Sequence, residues 1–325
     1  MSRWEQSLPS PDWSSFTLGP FTIHIYALCI LAGIIAATVW TSRRLTKRGA
    51  EPGVVLDIIL WAVPLGIVVA RFYHVFTHPH DYFFPGADLL KVLYIWEGGN
   101  AIFGALIGGA VGAYIGCRLS GIKFWSFADA LAPAMLLAQA MGRLGNYFNH
   151  ELFGLPTDLP WGLQIEQSNP AFPVGLPAGT LFQPLFLYEI IWNVIGIAVI
   201  LLVERKFQLR WGKAFGVYLI WYGLGRSYLE SIRIDPSEFS FLSIPSNVWA
   251  AFAAVAIGIV LIIVQNRRHT GLEASPYRPG REWHSPEPEV DSDDIDPDDE
   301  DYGNDAVETH GPNAATATSD VGAKS

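Results

Sequence analysis

Apolar residues dominate seven long segments of the chain, and short polar loops separate these segments. Each segment is close to the roughly 20 residues that an α-helix needs to cross a hydrocarbon core. The segments lie near 20–41, 54–76, 97–117, 125–147, 184–204, 213–232 and 246–265. The pattern predicts an all-α integral membrane protein with seven transmembrane helices.

The loops alternate in charge. Basic residues follow the first, third, fifth and seventh segments, and they are Arg43, Arg44, Lys47, Arg48, Arg118, Lys123, Arg205, Lys206, Arg210, Lys213, Arg267 and Arg268. Of the opposite loops, one carries only Lys91 and the 152–181 loop carries no Lys or Arg. Because short loops rich in Lys and Arg stay on the cytoplasmic side, the pattern predicts an outer N-terminus and a cytoplasmic C-terminus.

The sequence divides into three predicted parts. Residues 1–19 hold Trp4 and Trp13 and form an outer interfacial segment, because aromatic residues concentrate at membrane interfaces. Residues 20–268 form the seven-span membrane domain, in which the Pro-, Gly- and Phe-rich 152–181 loop packs as a small outer domain. Residues 269–325 carry 15 acidic and 3 basic residues, and such a segment buries too little apolar surface to fold. We expect it to be a disordered cytoplasmic tail that is dispensable for chemistry.

Composition narrows the class of protein. Half of the residues are hydrophobic and only 16% are charged, whereas a soluble domain usually has about a quarter charged residues. The net charge of −10 resides in the tail and leaves no basic patch for a nucleic acid. The two cysteines lie in apolar segments, and the eight histidines show no metal-ligand spacing. The sequence therefore predicts no metal, no disulfide framework and no nucleic-acid partner.

The third segment has a small residue at every fourth position. Gly104, Gly108, Gly112 and Gly116 fall on one helix face, where they allow the backbone of a neighbouring helix to approach closely. The pattern favours a packing role.

Ionisable residues are expensive inside a membrane and are functional candidates by default. In this chain they concentrate toward the predicted outer half, and they are Arg71, Glu97, Asp129, Arg143, Glu151, Glu189, Arg226, Glu230 and Arg233. In the fourth segment, a continuous helix places Gln139, Arg143, Asn146 and His150 on one face, and Gly142 and Gly145 remove bulk beside the arginine. An arginine that snorkels at a helix end is the plainer interpretation.

The sixth segment repeats this pattern. Tyr222, Arg226, Glu230 and Arg233 share one helix face. An Arg226–Glu230 pair four residues apart is common on helices, but it does not explain why both charges lie in a membrane segment. A guanidinium binds a phosphate with two hydrogen bonds and stays charged when desolvated. The two arginines therefore predict an outward-facing phospholipid site.

Several motifs carry a more specific signal. The run from Gly142 to Gly154, GRLGNYFNHELFG, resembles the signature of bacterial prolipoprotein diacylglyceryl transferases, with tyrosine instead of phenylalanine at position 147. Further elements in family order begin at His24, Ala70, Gly98, Gln183 and Tyr222. The resemblance covers about residues 15–265 and excludes the acidic tail.

The resemblance implies a reaction in the bacterial cell membrane. Such enzymes move the diacylglyceryl group of phosphatidylglycerol to the lipobox cysteine of a prolipoprotein, release glycerol phosphate, and use no metal and no cofactor. The implied catalytic residues are Arg143, Asn146, Glu151 and Arg226. The implied residues for binding phosphatidylglycerol are Tyr26, Arg143, Asn149, Gly154, Tyr222, Glu230 and Arg233. The implied partners are phosphatidylglycerol, prolipoprotein lipobox peptides and membrane lipid.

Two positions depart from the family pattern. Phe103 and Gln183 occupy places where family members carry histidine, and neither side chain accepts a proton near neutral pH. Glu151, His150 and His24 are the remaining acceptors, and we rank Glu151 first. Carboxylates beside arginines are generally poor bases, so an alternative role for Glu151 is to orient Arg143.

A lipid or anion transporter is the alternative function, since it would also bury arginines. Transporters usually show internal repeats, and the arginine segments of this chain share no flanking pattern. The sequence therefore favours the transferase.

Overall fold

The computed structural model describes residues 7–234, 240–241 and 244–284. These residues contain seven long α-helices, as the apolar pattern predicts. They are α1 (Ile25–Thr46), α2 (Val54–Thr77), α3 (Ile102–Leu119), α4 (Phe124–Phe148), α5 (Leu185–Phe207), α6 (Lys213–Ser231) and α7 (Ser246–Arg268). Tight pairs form between α2 and α3, α1 and α4, and α6 and α7. The compact unit that contains these seven helices extends to Trp283.

Five helices, α1, α2, α3, α5 and α7, are long and apolar enough to cross a membrane. Their outward surfaces carry large apolar side chains such as Leu60, Phe76 and Val260, which are exposed by 71%, 84% and 57%. A soluble protein does not normally present so continuous an apolar surface. The other two helices, α4 and α6, are less apolar than these five, because they carry the polar residues of the predicted site.

Two helices begin later than the sequence predicts. The first apolar segment opens with an antiparallel hairpin of β1 (Ser15–Leu18) and β2 (Phe21–His24), so α1 starts at Ile25 and the predicted start at residue 20 is wrong. Gly19 turns this hairpin with a φ of 61°, a conformation that glycine adopts without strain. Likewise, α3 starts at Ile102 instead of residue 97, because Gly98 and Gly99 have φ angles of 85° and 69°.

The 152–181 loop packs around a small apolar cluster. Phe153, Leu163, Ile165 and Phe182 are buried together. Two short strands, β3 (Leu163–Gln164) and β4 (Leu181–Phe182), pair antiparallel within it, and a further antiparallel pair joins β5 (Ser240–Phe241) and β6 (Ile244–Pro245). The cluster gives this long loop a defined shape beside the ends of α4 and α5.

The glycine stripe of α3 packs against α2. A Cβ atom added to Gly108 would lie 2.3 Å from the Leu65 carbonyl oxygen, and one added to Gly112 would lie 2.3 Å from the Trp61 carbonyl oxygen. These distances are far below van der Waals contact with rigid backbone atoms. The stripe therefore sets the closest approach of the two helices, as the sequence indicates.

We expect Gly112→Ala to separate α2 from α3 and to lower the free energy of unfolding by about 1–3 kcal/mol, the usual cost of overpacking. Gly109→Ala is the matched control, because a Cβ there has its nearest neighbour at 3.9 Å. The denaturation midpoints of both variants in detergent test this expectation. Equal midpoints for the two variants would contradict the close α2–α3 packing.

Residues 269–283, here called the strap, pack against the turn between α3 and α4. Tyr277 is buried with Leu45 and Ile58, and its hydroxyl accepts a 3.0 Å hydrogen bond from the Glu51 backbone N–H. The Lys123 N–H donates to the Pro276 carbonyl at 2.8 Å. The prediction that disorder begins at residue 269 is therefore wrong for the strap, because burial of the Tyr277 side chain offsets the entropy lost when the strap is ordered. Residues 285–325 lie outside the described range.

We expect truncation after Arg268 to destabilise the protein and truncation after His284 to leave its stability unchanged. Deleting a buried aromatic side chain from a core costs about 3–5 kcal/mol, and the shorter chain loses Tyr277 together with the backbone pairing of the strap. Thermal denaturation of both truncated proteins in the same detergent measures the difference. A protein ending at Arg268 that melts with the full chain would show that the strap adds no stability.

Candidate active site

The centre of the site lies near the end of α4. Arg143 Nη1 donates a 3.0 Å hydrogen bond to Asn146 Oδ1, and Arg143 Nε forms an ion pair with Glu189 Oε2 on α5. A Cβ added to Gly142 would meet no atom within 4 Å. The guanidinium is therefore fixed by two partners. The helix surface at Gly142 is open, whereas Tyr26 fills the space at Gly145.

The chain turns sharply after α4 and brings Glu151 back to the helix. His150 and Leu152 have φ angles of 53° and 56°, which lie in the left-handed region. The Glu151 N–H donates to the Asn146 carbonyl at 3.2 Å, and Asn146 Nδ2 donates to Glu151 Oε1 at 2.8 Å. Asn149 Nδ2 adds a longer contact of 3.4 Å to the same oxygen. Glu151 is thus linked to Arg143 through Asn146.

The prediction that His150 shares the helix face of Arg143 is wrong. Because α4 ends at Phe148, His150 leaves the helix, and its Nε2 lies 2.6 Å from the Pro11 carbonyl oxygen. His24 ends β2 with an exposed side chain, and no described contact joins it to the Arg143 cluster. Among the three predicted proton acceptors, only Glu151 lies in the cluster.

Tyr26 brings α1 into the site. Gly145 permits this contact, because a Cβ there would lie 2.6 Å from Tyr26 Cδ2. The phenol lies within electrostatic range of both Glu151 and Arg143. The structure therefore brings Tyr26 beside the Arg143 cluster, and its contact with phosphatidylglycerol stays a prediction.

A second cluster lies at the end of α6. The Glu230 carboxylate is fully buried and forms ion pairs with Arg226 at 2.6 Å and with Arg233 at 3.5 Å. Asn247, at the start of α7, donates a 2.9 Å hydrogen bond to Glu230 Oε1. Protein groups surround Glu230, and the carboxylate fixes the two arginines. Its contact with phosphatidylglycerol stays a prediction.

The Arg143 and Glu230 clusters lie near the same end of the helix bundle because α4 and α6 run parallel. Asp129, near the start of α4, accepts a 2.8 Å hydrogen bond from the Gly212 N–H just before α6, and Gln139 donates a 3.0 Å bond to the Tyr218 hydroxyl further along. One turn beyond this second bond come Arg143 on α4 and Tyr222 on α6. Arg226 follows one turn later, which is a rise of about 6 Å. Tyr222, whose ring stacks on Tyr218 at 6.1 Å, thus occupies the level of Arg143.

Gly154 joins the ends of the two helices and is closely packed by protein atoms. Its N–H donates to the Gln183 carbonyl at 2.9 Å, and it pairs with Arg233 in an isolated antiparallel bridge. A Cβ there would lie 2.4 Å from Leu185 Cδ1. Surrounding protein fills the space beside Gly154, so a side chain is not tolerated there. Its role in binding phosphatidylglycerol stays a prediction.

Two other ionisable candidates have structural roles. The Arg71 side chain is buried and donates to backbone carbonyls, including those of Val92 at 2.9 Å and Gly98 at 2.5 Å, so it shapes the loop between α2 and α3. The buried carboxylate of Asp129 accepts hydrogen bonds from the N–H groups of Gly212 and Phe215 and caps the start of α6. The charged groups of Arg71 and Asp129 therefore stabilise the fold through hydrogen bonds to the backbone.

Sequence reasoning named Glu189 as an ionisable candidate without its partner, and it missed Asn247. Glu189, near the start of the apolar helix α5, is the carboxylate that pairs with Arg143. Asn247 binds Glu230 from α7, and nothing in its local sequence distinguishes it. Phe103 is 37% exposed with its ring near Tyr73, and Gln183 contributes its backbone carbonyl.

Several apolar helices that enclose linked arginines and carboxylates at one end are typical of a multi-pass membrane protein. The family model for prolipoprotein diacylglyceryl transferase matches residues 14–264. The chain therefore belongs to this family of enzymes.

Similar proteins cover most of the chain. A phosphatidylglycerol–prolipoprotein diacylglyceryl transferase of Leifsonia xyli subsp. xyli is 66% identical over 98% of each chain. The transferase numbered 2 of Streptomyces coelicolor is 44% identical over 82% of this chain and 83% of its own. The one from Cutibacterium acnes is 43% identical over 83% of this chain and 90% of its own.

Proposed function

We propose that this protein transfers the diacylglyceryl group of phosphatidylglycerol to the lipobox cysteine of a prolipoprotein. The thiolate sulfur attacks the glyceryl carbon, a thioether bond forms, and the carbon–oxygen bond to phosphate breaks. Glycerol phosphate leaves with the electron pair. The observation that carries the proposal is the linked network of Arg143, Asn146 and Glu151 within the family signature.

The two arginines divide the work on the phosphate. Arg143 grips the head group, since the space beside Gly142 is open and Glu189 and Asn146 fix the guanidinium. Arg226 stabilises the charge that builds on the leaving phosphate, because Glu230 holds it in one orientation. A preorganised cation is most effective at the point where charge develops in the transition state.

Glu151 takes the proton from the thiol. Its Oε1 accepts from Asn146 and Asn149, and within the described residues no contact occupies its Oε2. In contrast, the Glu189 and Glu230 carboxylates are ion-paired with arginines. Tyr26 and Tyr222 flank the head group, and Arg233 and Asn149 complete the binding residues.

Release of glycerol phosphate by purified full-length protein tests the function. We expect release from phosphatidylglycerol only with a lipobox peptide, together with a peptide mass gain equal to one diacylglyceryl group. A peptide with serine in place of the cysteine is the control. Movement of phosphatidylglycerol across vesicle membranes with neither product would favour the transporter instead.

We further propose that all seven helices span the bacterial cell membrane with the site toward the outside. Residues 1–19 then lie at the outer interface, the 152–181 loop is external, and residues 269–325 are cytoplasmic. A cluster of basic residues supports this orientation. The Glu204 carboxylate forms ion pairs with Arg44, Arg48 and Arg210 at 2.5, 2.7 and 3.2 Å. Arg44 also donates to the Ala130 carbonyl near the start of α4, about 20 Å from Arg143 along the helix.

A cysteine at Val174, which is fully exposed in the 152–181 loop, should react with an impermeant thiol reagent in intact cells. A cysteine at Glu282, exposed at the other end of the bundle, should react only after the cells are permeabilised. Both variants carry Cys29→Ala, while Cys117 is buried. Reaction at Glu282 and protection at Val174 in intact cells would reverse the orientation.

A further inference from the structure

A cavity of about 450 Å³ opens at the end of the bundle opposite the Arg143 cluster. Three of its lining residues are cationic, namely Arg118 at the end of α3, Lys123 before α4, and Arg278 in the strap. Three others are aromatic: Tyr114, Phe124 and Trp125. Neither the proposed reaction nor the family motifs use any of these side chains. We call it the basic-end pocket.

Charge in the basic-end pocket is predominantly positive. The Glu273 carboxylate is paired with one of its lining residues, Lys123, at 3.4 Å, and it accepts a 2.7 Å hydrogen bond from Ser126 Oγ. Arg118 lies 5.9 Å from the Tyr114 ring centre, and no described residue gives a carboxylate to Arg118 or Arg278. Both guanidinium groups line the pocket and offer the hydrogen-bond donors that suit an anion.

The surroundings of the pocket match a membrane interface. Tyr114 and Trp125 are exposed by 50% and 36%, on the apolar side of the cations, and amphipathic aromatic residues favour the head-group level of a bilayer. The strap closes the pocket from the opposite side, where the Arg278 N–H is bound to the Gly121 carbonyl at 2.8 Å. Basic pockets between helices at this level suit anionic head groups.

We propose that the basic-end pocket binds the phosphodiester head group of an anionic phospholipid from the adjacent leaflet. Arg118 and Arg278 donate to the phosphate oxygens, and the acyl chains lie along Tyr114 and Trp125. A bound head group therefore bridges α3 and the strap and holds the strap in place. This site is separate from the proposed transferase site and does not depend on it.

Lipid retention in native mass spectrometry tests the proposal with the full-length protein. The probe is dioleoyl phosphatidylserine, an anionic phosphodiester with a different head group from phosphatidylglycerol, mixed with phosphatidylcholine. We expect Arg118→Gln/Arg278→Gln to retain phosphatidylserine at least about tenfold less, since the loss of even one of the two charged contacts, at ~1.4 kcal/mol, gives this factor. Arg267→Gln/Arg268→Gln removes the same charge from exposed positions of the same end and should retain it normally.

Further variants separate the possible outcomes. Arg118→Glu reverses one exposed charge outside the strap, and it should also lose phosphatidylserine while the protein stays folded. Arg143→Gln should retain phosphatidylserine even where transferase activity is lost, so failure of the proposed function and failure of this site are distinguishable. Equal retention by the pocket and control variants would overturn the proposal. Displacement of the lipid by 10 mM inorganic phosphate, chosen as roughly a thousandfold excess for competition, would identify a free-anion site and overturn the lipid assignment.

Discussion

Arg226→Lys should reduce turnover by about two to three orders of magnitude while the binding of phosphatidylglycerol is largely kept. Removing one preorganised donor from a site of developing charge costs roughly 10²–10³ in rate in comparable enzymes. Lysine keeps the positive charge but loses the planar fork. It also reaches Glu230 with a single ammonium group, so the orientation set by the 2.6 Å ion pair is lost.

Arg143→Lys should have the complementary effect and weaken binding. The Arg143 guanidinium uses Nη1 for Asn146 and Nε for Glu189, and the neighbouring helix surface at Gly142 is open. An ammonium group cannot serve these partners and a phosphate together. We therefore expect the affinity for phosphatidylglycerol to fall about tenfold or more, the effect of losing one charged hydrogen bond of ~1.5–3 kcal/mol.

Affinity for phosphatidylglycerol and single-turnover rate, measured on the same protein preparations, separate the two roles. Arg205→Lys is the matched control, since Arg205 is exposed at the opposite end of the bundle. Abolished binding in Arg226→Lys with normal binding in Arg143→Lys would show that the roles are reversed. Parental rates in both variants would place the chemistry elsewhere.

Glu230→Leu should destabilise the protein by about 3–5 kcal/mol, because removing one partner of a buried ion pair leaves charge without compensation. The Glu230 carboxylate faces Arg226 and Arg233 at once, and it also accepts from Asn247 at the start of α7. Loss of this group therefore affects α6, α7 and the chain after α6 together. The denaturation midpoint and the monodisperse yield in detergent measure the effect.

Glu230→Gln separates the charge from the shape of this side chain. Its amide oxygen still accepts from Asn247, so we expect a smaller loss than with leucine. Glu282→Gln removes a carboxylate from an exposed position and should leave the midpoint unchanged. Parental stability in Glu230→Leu would show that the two arginines find compensation from other groups.

The sequence alone determined the membrane class, the order of seven helices and the family. Apolar length is a local property, because each helix satisfies its own backbone hydrogen bonds within the membrane. The sequence also predicted the packing face of α3, since helical geometry places Gly108 and Gly112 on the same side of the helix. The signature from Gly142 to Gly154 indicated the reaction class through its resemblance to the family, and the cost of polar residues in a membrane segment marked it as functional.

Only the tertiary structure decided which polar groups meet. The left-handed turn at His150 and Leu152 removes the histidine from the Arg143 face and brings Glu151 onto Asn146. Glu189 and Asn247 reach their partners from other helices, and the burial of Gly154 and Tyr277 depends on distant segments. A periodic pattern specifies the face on which a residue lies, but its partner depends on how separate helices pack, and no local spacing records that packing.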